Sequence, residues 1–405
     1  MKLRVLALLP LALLAAPVRP AFADCPGVSA CQLSQCPMGS TPVNPGQSIQ
    51  VVINKAVNGA RICVNPGTYI GNINFFGKRI TLVSAGGPKM TSLQGTGAGP
   101  VVTFSHSEAP DSILDGFAIT HGRAPGGGGI LILSASPTIR NCVVHDNMAT
   151  DANYPRGGGA YVGGPTAKPS ITCTQFLNNR ADYAGGGLAT TYFADPYLRN
   201  DSFEGNTSSY GGAIAAHYNG RLDVATTAFL SNQASGDGGA IHAGTPYGNV
   251  LVRNCWFESN TANGEGGGLW IPAGLAQVVN CTFDKNRAYS GAGIAAGYGG
   301  MVEVASTLFV SNQTLGGGSA ALINTSPGSN TSVVNHYNGF FGNTGGNFLG
   351  TYGDVLPLLL DPKLVTCCPD VTSPAIGAGI PDYLFVNASG SRNDMGACGG
   401  PAITY

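Results

Sequence analysis

An aromatic residue followed three positions later by asparagine recurs along the chain, and this recurrence constrains the fold more than any other feature. With the asparagine as marker, Asn147, Asn179, Asn206, Asn232, Asn260, Asn286, Asn312 and Asn343 follow one another at intervals of 32, 27, 26, 28, 26, 26 and 31 residues. Three positions before them stand Val144, Phe176, Phe203, Phe229, Phe257, Phe283, Phe309 and Phe340. A glycine pair or triple follows most markers, as at Gly211-Gly212 and Gly266-Gly267-Gly268, and an aliphatic residue comes after it. Self-similarity at a period of about 20–50 residues marks a solenoid, whose units bury their apolar faces only by stacking on one another.

A helical unit would show apolar residues three and four apart over roughly ten positions, and none does so between the glycines. The segments alternate over short spans instead, as in Gly239-Ala240-Ile241-His242-Ala243 and Gly268-Leu269-Trp270-Ile271. Clusters of Gly, Asn, Ser and Thr separate them, the pattern of short strands joined by tight turns. No leucine-rich consensus occurs, and the period excludes calcium-binding nonapeptide repeats. The expected fold class is therefore all-β, a single-stranded parallel β-helix in which coils of two or three strands pair at about 4.8 Å.

This geometry gives each repeated residue a physical task. One Phe per coil stacks into an internal column, burying roughly 150 Å² or more. One Asn per coil passes amide hydrogen bonds along the stack, each contributing about 1 kcal/mol net. The glycines permit left-handed backbone at a tight corner. The phase shift between Val252 and Cys255 predicts a bend there. Upstream, Ile49, Val52, Ile53, Ala56 and Val57 lie at helical spacing behind Ser48 as N-cap, and predict a short helix that plugs the open core. The resulting division is a signal peptide at 1–23, a Cys-containing segment at 24–48, a β-helix of eleven or twelve coils at 49–349, and an irregular C-terminal cap at 350–405.

Export is read from the first residues. Lys2 and Arg4 precede an apolar run from Val5 to Ala16, and Ala21-Phe22-Ala23 supplies the small-x-small pattern of signal cleavage. No stretch is long enough to predict a transmembrane helix. Charged residues are 10% of the chain against about 25% in ordinary domains. Removing Lys2, Arg4 and Arg19 leaves 17 basic and 21 acidic residues, a net of −4, so nucleic acid is not an expected partner. Eleven cysteines fit a secreted location. Bridges are expected within the terminal groups (Cys25, Cys31, Cys36, Cys63; Cys367, Cys368, Cys398). Buried free thiols are expected at Cys142, Cys173, Cys255 and Cys281 inside the repeat.

With these motifs in view, the chain resembles the right-handed parallel β-helix proteins of the pectin-lyase-like superfamily. FLSNQASGDGGAI (229–241) is similar to the repeat of chlamydial polymorphic outer membrane proteins. IQVVINKAVNGARICVNPGTY (49–69) resembles the opening coil of exported bacterial members, and SPAIGAGIP (373–381) with DMGACGG (394–400) their closing segment. The resemblance implies a right-handed helix with an N-terminal cap helix. It leaves the activity open, because one scaffold carries many functions.

Two sets of residues are candidates for chemistry. Glu258 and Asp284 fall at one position of consecutive coils. With Arg253 as base they would form a lyase site, in which Ca2+ is the one cofactor to consider. Arg140, Arg199 and Arg253 share another column, alternating with the uncharged rungs Thr172 and Ala225. The second set lies after the glycines. Alternation turns Tyr161, His242 and Trp270 outward, with Tyr192, Tyr218, Tyr247 and Tyr298 a few residues beyond comparable points, and outward rings on a sheet stack on sugars. No cluster with metal-ligand spacing occurs. The expected function is non-catalytic binding or structural, adhesion-type presentation at the cell surface or outside it, with a polysaccharide or surface glycan as partner. The alternative is a polysaccharide-degrading enzyme, a pectate- or alginate-lyase-like protein or a glycoside hydrolase.

Overall fold

The computed structural model describes residues 31, 35–150, 153–218, 220–244, 248–316, 318–325, 331–349, 357–365, 368–370, 372–379 and 394–398. The expected signal peptide, Cys25, Cys367 and Tyr247 lie outside them.

Each coil is laid down by short strands separated by left-handed corners. In one coil, Leu222–Ala225 turns at Thr226 (φ 52°) into Ala228–Leu230, which turns at Ser231 (φ 53°) into Gln233–Ala234. A turn through Gly238 (φ 69°) then leads into Ile241–Ala243. Glycine is required there and at its neighbour, because a Cβ on Gly239 would collide with the carbonyl oxygen of Gly267 in the next coil. Stacked coils form a first sheet of 12 strands, from Thr41–Val43 to Ser332–His336, and a second of 11, from Gly67–Ile70 to Gly339–Phe341. A narrow ladder of 8 two-residue strands and a third sheet of 11 strands, from Ile73–Asn74 to Phe348–Leu349, complete the wall. The eleven strands in the second and third sheets agree with the expected coil number.

Register puts like residues over like. Phe203, Phe229 and Phe257 are direct partners, and the column from Phe176 to Phe340 stacks with centroids 4.4–5.3 Å apart. The marker asparagines from Asn147 to Asn312 are buried beside it. Each donates one Nδ2 hydrogen to the next Asn Oδ1, as Asn206 does to Asn232 at 3.0 Å. It donates the other to a core-strand carbonyl in the preceding coil, Ile119 for Asn147, Val144 for Asn179 and a phenylalanine thereafter, as Asn206 does to Phe176 at 2.9 Å. No amide valence is wasted, which is why buried asparagine is tolerated at every coil.

The helix Ile49–Lys55 follows Ser48, whose side chain accepts the Val51 N–H, and places Ile49 and Ile53 in the continuous core. Its exposed C-terminal carbonyls are met by one cation. Lys78 Nζ donates to Ile53, Asn54 and Ala56 at 2.7, 2.8 and 2.9 Å, where the helix dipole favours positive charge.

Two expectations are corrected. The described part of the C-terminal segment extends one sheet and covers its outside, rather than only closing an end. Leu358 adds to the second sheet beside Asn338 and Phe340. Ala375 and Met395 then pack on Leu308 and Val310, and Ala397 packs on Ala228 and Trp256. The outward column of that sheet runs from Gln175 and Ser202 to Ala228, Trp256, Thr282 and Leu308; the apolar members need cover, and Thr282 accepts the Ala397 N–H at 3.0 Å.

Cys173 is the second correction. Cys36–Cys63 and Cys368–Cys398 pair within their terminal groups and Cys142, Cys255 and Cys281 are buried thiols, as expected, but Cys173 is bonded to Cys31. Its backbone is left-handed (φ 52°), the conformation of Asn141 and Asn254 at the same corner, so it stands one residue away from the inward position of the other three.

Candidate functional site

In the third sheet, Ile241 and Leu269 belong to the core, and Tyr161, Ala189, Ala215, His242 and Trp270 follow one another in a single outward column. Two alanines thus separate Tyr161 from His242 over two coils. Both are buried, because rings from the flanking turns lie over this floor.

Arg156 is the centre of that cover. It precedes the glycine corner and forms parallel bridges to Gly126 and Ala184, which fixes its backbone in the stack. Its guanidinium carbon lies 5.6, 5.0 and 4.9 Å from the ring centroids of Tyr154, Tyr183 and Tyr218. Nη1 donates to the Tyr154 carbonyl at 3.2 Å and Nη2 to the Tyr218 hydroxyl at 3.3 Å, while Nε is buried without a partner. Among the described residues no carboxylate lies within ion-pair distance of Arg156.

The rings continue along the axis. Tyr183 meets Tyr210 edge-on at 5.5 Å, and Tyr210 meets His242 likewise at 5.5 Å. His217 Nε2 is 3.1 Å from His242 Nδ1, so one imidazole donates to the other. Burial and the charge of Arg156 push His217 down to about 4, and burial and His217 push His242 down to about 3. Both are neutral at pH 7. Burial raises the Tyr161 and Tyr183 phenols, which stay protonated, and the Tyr161 hydroxyl is 2.7 Å from Thr191 Oγ1. The one formal charge among these groups is that of Arg156.

On the far side of the sheet strand the rings reach solvent. Tyr192 and Tyr218 are 54% and 49% exposed and stack with centroids 5.6 Å apart and planes 13° from parallel. The Tyr192 N–H donates to the Tyr218 carbonyl at 2.9 Å, so the sheet ladder sets their spacing. Tyr192, Phe193 and Tyr218 all have left-handed backbone (φ 53°, 63° and 49°). The same conformation recurs at coil corners along the repeat, as at Thr226 and Ser231, so the turn of the coil itself fixes these rings.

The sequence-derived candidates distribute unevenly over this geometry. Tyr161, Tyr218 and His242 are brought together around Arg156 and His217. Trp270 projects from the sheet as expected, but it is 2% exposed, packed with Ala295 and Ile323 and edge-on to Tyr298, and so offers no free ring face. Glu258 and Asp284 are neighbours one rung apart, as their spacing predicts. They do not converge with Arg253 and Trp270, which stand on the first and third sheets while the acids stand on the second. Lys285 Nζ is 2.6 Å from Asp284 and 3.9 Å from Glu258, and the Trp256 Nε1–H donates to Glu258 at 3.1 Å.

The alternation of Arg140, Thr172, Arg199, Ala225 and Arg253 is in register as read. Those arginines are engaged internally. Arg140 pairs with Asp115 at 2.7 Å, and Arg199 and Arg253 share Asp223 at 2.9 and 3.1 Å.

Arg156, Tyr154 and Tyr183 are the site residues that sequence reasoning missed. A signal existed in spacing: Arg156 stands five residues before Tyr161, as Tyr210 does before Ala215, Asp237 before His242 and Glu265 before Trp270. Glu265 is pushed up to about 7 by burial and by the charge of Asp237, whose Oδ1 accepts the Glu265 N–H at 2.8 Å.

Parallel pairing of every coil with the next, around one continuous core, defines a β-helix repeat protein. Comparison with known families agrees: the model of the right-handed β-helix region matches residues 106–283. No curated protein and no solved structure matches the chain.

Proposed function

We propose that this protein is exported and binds carbohydrate without transforming it, at the cell surface or outside the cell. The observation that carries this reading is the exposed, nearly parallel Tyr192–Tyr218 pair, held on left-handed backbone and backed by Arg156. Sugar rings present flat C–H faces, and flat tyrosines fixed in advance meet them at little entropic cost. Disulfides at both ends of the chain fit an oxidising location, and among the described residues no helix is long and apolar enough to cross a membrane. The likeness to pectin-lyase-like and chlamydial repeat proteins belongs to this proposal as well.

A panel of neutral and uronate-containing polysaccharides in affinity electrophoresis tests it. Retardation by at least one member that is lost in Tyr192→Ala/Tyr218→Ala is the expected result. No retardation across the panel, or retardation unchanged in the double variant, overturns the assignment.

A second reading, polysaccharide cleavage, draws its support from Glu265, a carboxyl that still carries a proton near pH 7 beside the negative Asp237. That combination suits a general acid. Reducing ends or unsaturated products released by the wild type and lost in Glu265→Gln would replace binding with catalysis.

A further inference from the structure

We infer that the saccharide recognised at this patch carries an anionic substituent, a carboxylate or a sulfate, which is bound in the plane of the Arg156 guanidinium. The inference rests on the carbohydrate reading above and names the chemistry of its ligand.

Aromatic rings surround the cation. Tyr154, Tyr183 and Tyr218 occupy positions around the guanidinium at 4.9–5.6 Å, as cation–π partners. Its in-plane donors are poorly used. Nη1 and Nη2 each make one bond to a neutral oxygen at 3.2 and 3.3 Å, and both bonds are at the surface, while Nε has no acceptor. A guanidinium offers five N–H donors, so most of its fork remains unspent. Elsewhere this chain treats its half-buried arginines differently: Arg140, Arg199 and Arg253 all reach an aspartate within 3.1 Å.

The neighbours neither supply the missing negative charge nor compete for it. His217 and His242 bond to each other and Tyr161 bonds to Thr191. A planar or tetrahedral oxyanion that meets the fork edge-on makes two charge-assisted bonds, the strong class of hydrogen bond, in a site whose walls are rings rather than water. Tyr218 then serves twice. Its hydroxyl already accepts from Nη2 and keeps a proton to donate, and its ring stacks on that of Tyr192, whose exposed ring the sugar carrying the anion would meet.

The test compares ligands that differ only in charge. Isothermal titration of the full chain at fixed moderate salt would use oligogalacturonate, the same oligomer fully methyl-esterified, and a sulfated galactan oligomer. The expected result is at least tenfold tighter binding of one or both anionic oligomers than of the ester. The sulfated arm shows whether the site reads the carboxylate itself or any oxyanion. Arg156→Met, which keeps the aliphatic stem, should shrink the preferred anion's advantage over the ester to less than about twofold. Arg156→Lys, which keeps the charge without the fork, should fall between. Equal binding of acid, sulfate and ester by the wild type overturns the inference and leaves carbohydrate binding standing. Absence of binding by all three, with neutral polysaccharides also unretarded, overturns both.

Discussion

Asn260 Oδ1 accepts two hydrogens from Asn232, the backbone N–H at 3.0 Å and the side-chain Nδ2–H at 2.9 Å, and Asn260 repeats the arrangement with Asn286. Every interior member of the ladder is therefore both donor and acceptor, and one deletion strands groups on both sides. Asn260→Ala leaves the Asn232 N–H and one of its Nδ2 hydrogens without partners in a dry core, and takes the side-chain donor from the Phe229 carbonyl. At about 1–3 kcal/mol for each buried unsatisfied group, the loss should reach at least about 2 kcal/mol. Urea unfolding checks this. A cost below about 1 kcal/mol would mean that the coil relaxes and the ladder is not the unit of stability described here. Asn343 is only half-buried, and the same change there should cost less.

The ladder and the phenylalanine column were legible in the sequence because both recur once per coil, and recurrence separates a structural requirement from accident. Cys173 was legible too, although the sequence reading grouped it with the inward thiols. It stands six residues before Asn179, whereas Cys142, Cys255 and Cys281 stand five before their markers. One residue moves a side chain from the core to a left-handed corner, where it meets Cys31. What no period encodes stayed hidden. Arg156 reaches Tyr218 over a sequence distance of 62 residues, and the cover over Trp256 comes from Ala397, far along the chain. The outward direction of Trp270 follows from alternation, but its burial depends on neighbours in other coils.

Asp201 is buried at the position that Cys142 and Cys255 occupy in their coils. Its Oδ1 accepts the Thr174 N–H at 2.8 Å and its Oδ2 has no partner. Burial raises its pKa well above the usual carboxylate range, against hydrogen bonds from Thr174 and Arg199 and the charge of Arg199 that lower it. A carboxyl with a raised folded pKa stabilises fully below its unfolded value of about 3.9, and that contribution is lost as pH climbs through the folded value. Asp201→Asn keeps the acceptor and cannot ionise. It should be neutral near pH 3.5 and more stable than wild type at pH 7 by roughly 1–3 kcal/mol, the cost of a buried unsatisfied group. Melting curves across pH 3.5–8 would show the gap opening with rising pH, and a constant gap would contradict the buried acid.

The His217–His242 pair has the opposite sign. Folded values of about 4 and about 3 lie below the unfolded histidine value of about 6.5, so the unfolded chain binds more protons between these limits. Stability is complete above about pH 6.5 and declines as pH falls toward 4. The groups facing the pair are Arg156, Tyr183, Tyr210 and Tyr218, all cationic or neutral in this range, and none rescues an imidazolium. Because both side chains are only partly shielded from water, the expected penalty between pH 7 and pH 4.5 is reduced to about 1–2 kcal/mol. His217→Gln/His242→Gln should flatten that part of the profile. His217 or His242 imidazole resonances that titrate near pH 6.5 in the folded protein would refute the assignment.

A disulfide tethers the ends of a long loop. Cys31–Cys173 spans 142 residues and ties the N-terminal segment to a coil well inside the stack. A bridge of this reach constrains the unfolded chain strongly. Removing it as Cys31→Ser/Cys173→Ser should lower stability by about 2–4 kcal/mol, short of the chain-entropy ceiling because Cys36–Cys63 already closes part of the same loop. The thiols of Cys142, Cys255 and Cys281 should behave otherwise. Burial pushes Cys142 up to about 12 and Cys281 well above the ordinary thiol range, and a thiolate is needed for alkylation. Iodoacetamide at pH 8 should therefore leave Cys142 and Cys281 unmodified in the folded protein, spare Cys255 because it is buried out of reach, and label all three after unfolding without reductant. Peptide mapping under the same conditions should recover Cys31 joined to Cys173. Alkylation of Cys173 before reduction would show it to be a fourth free thiol of the repeat, and the double serine variant would then cost little.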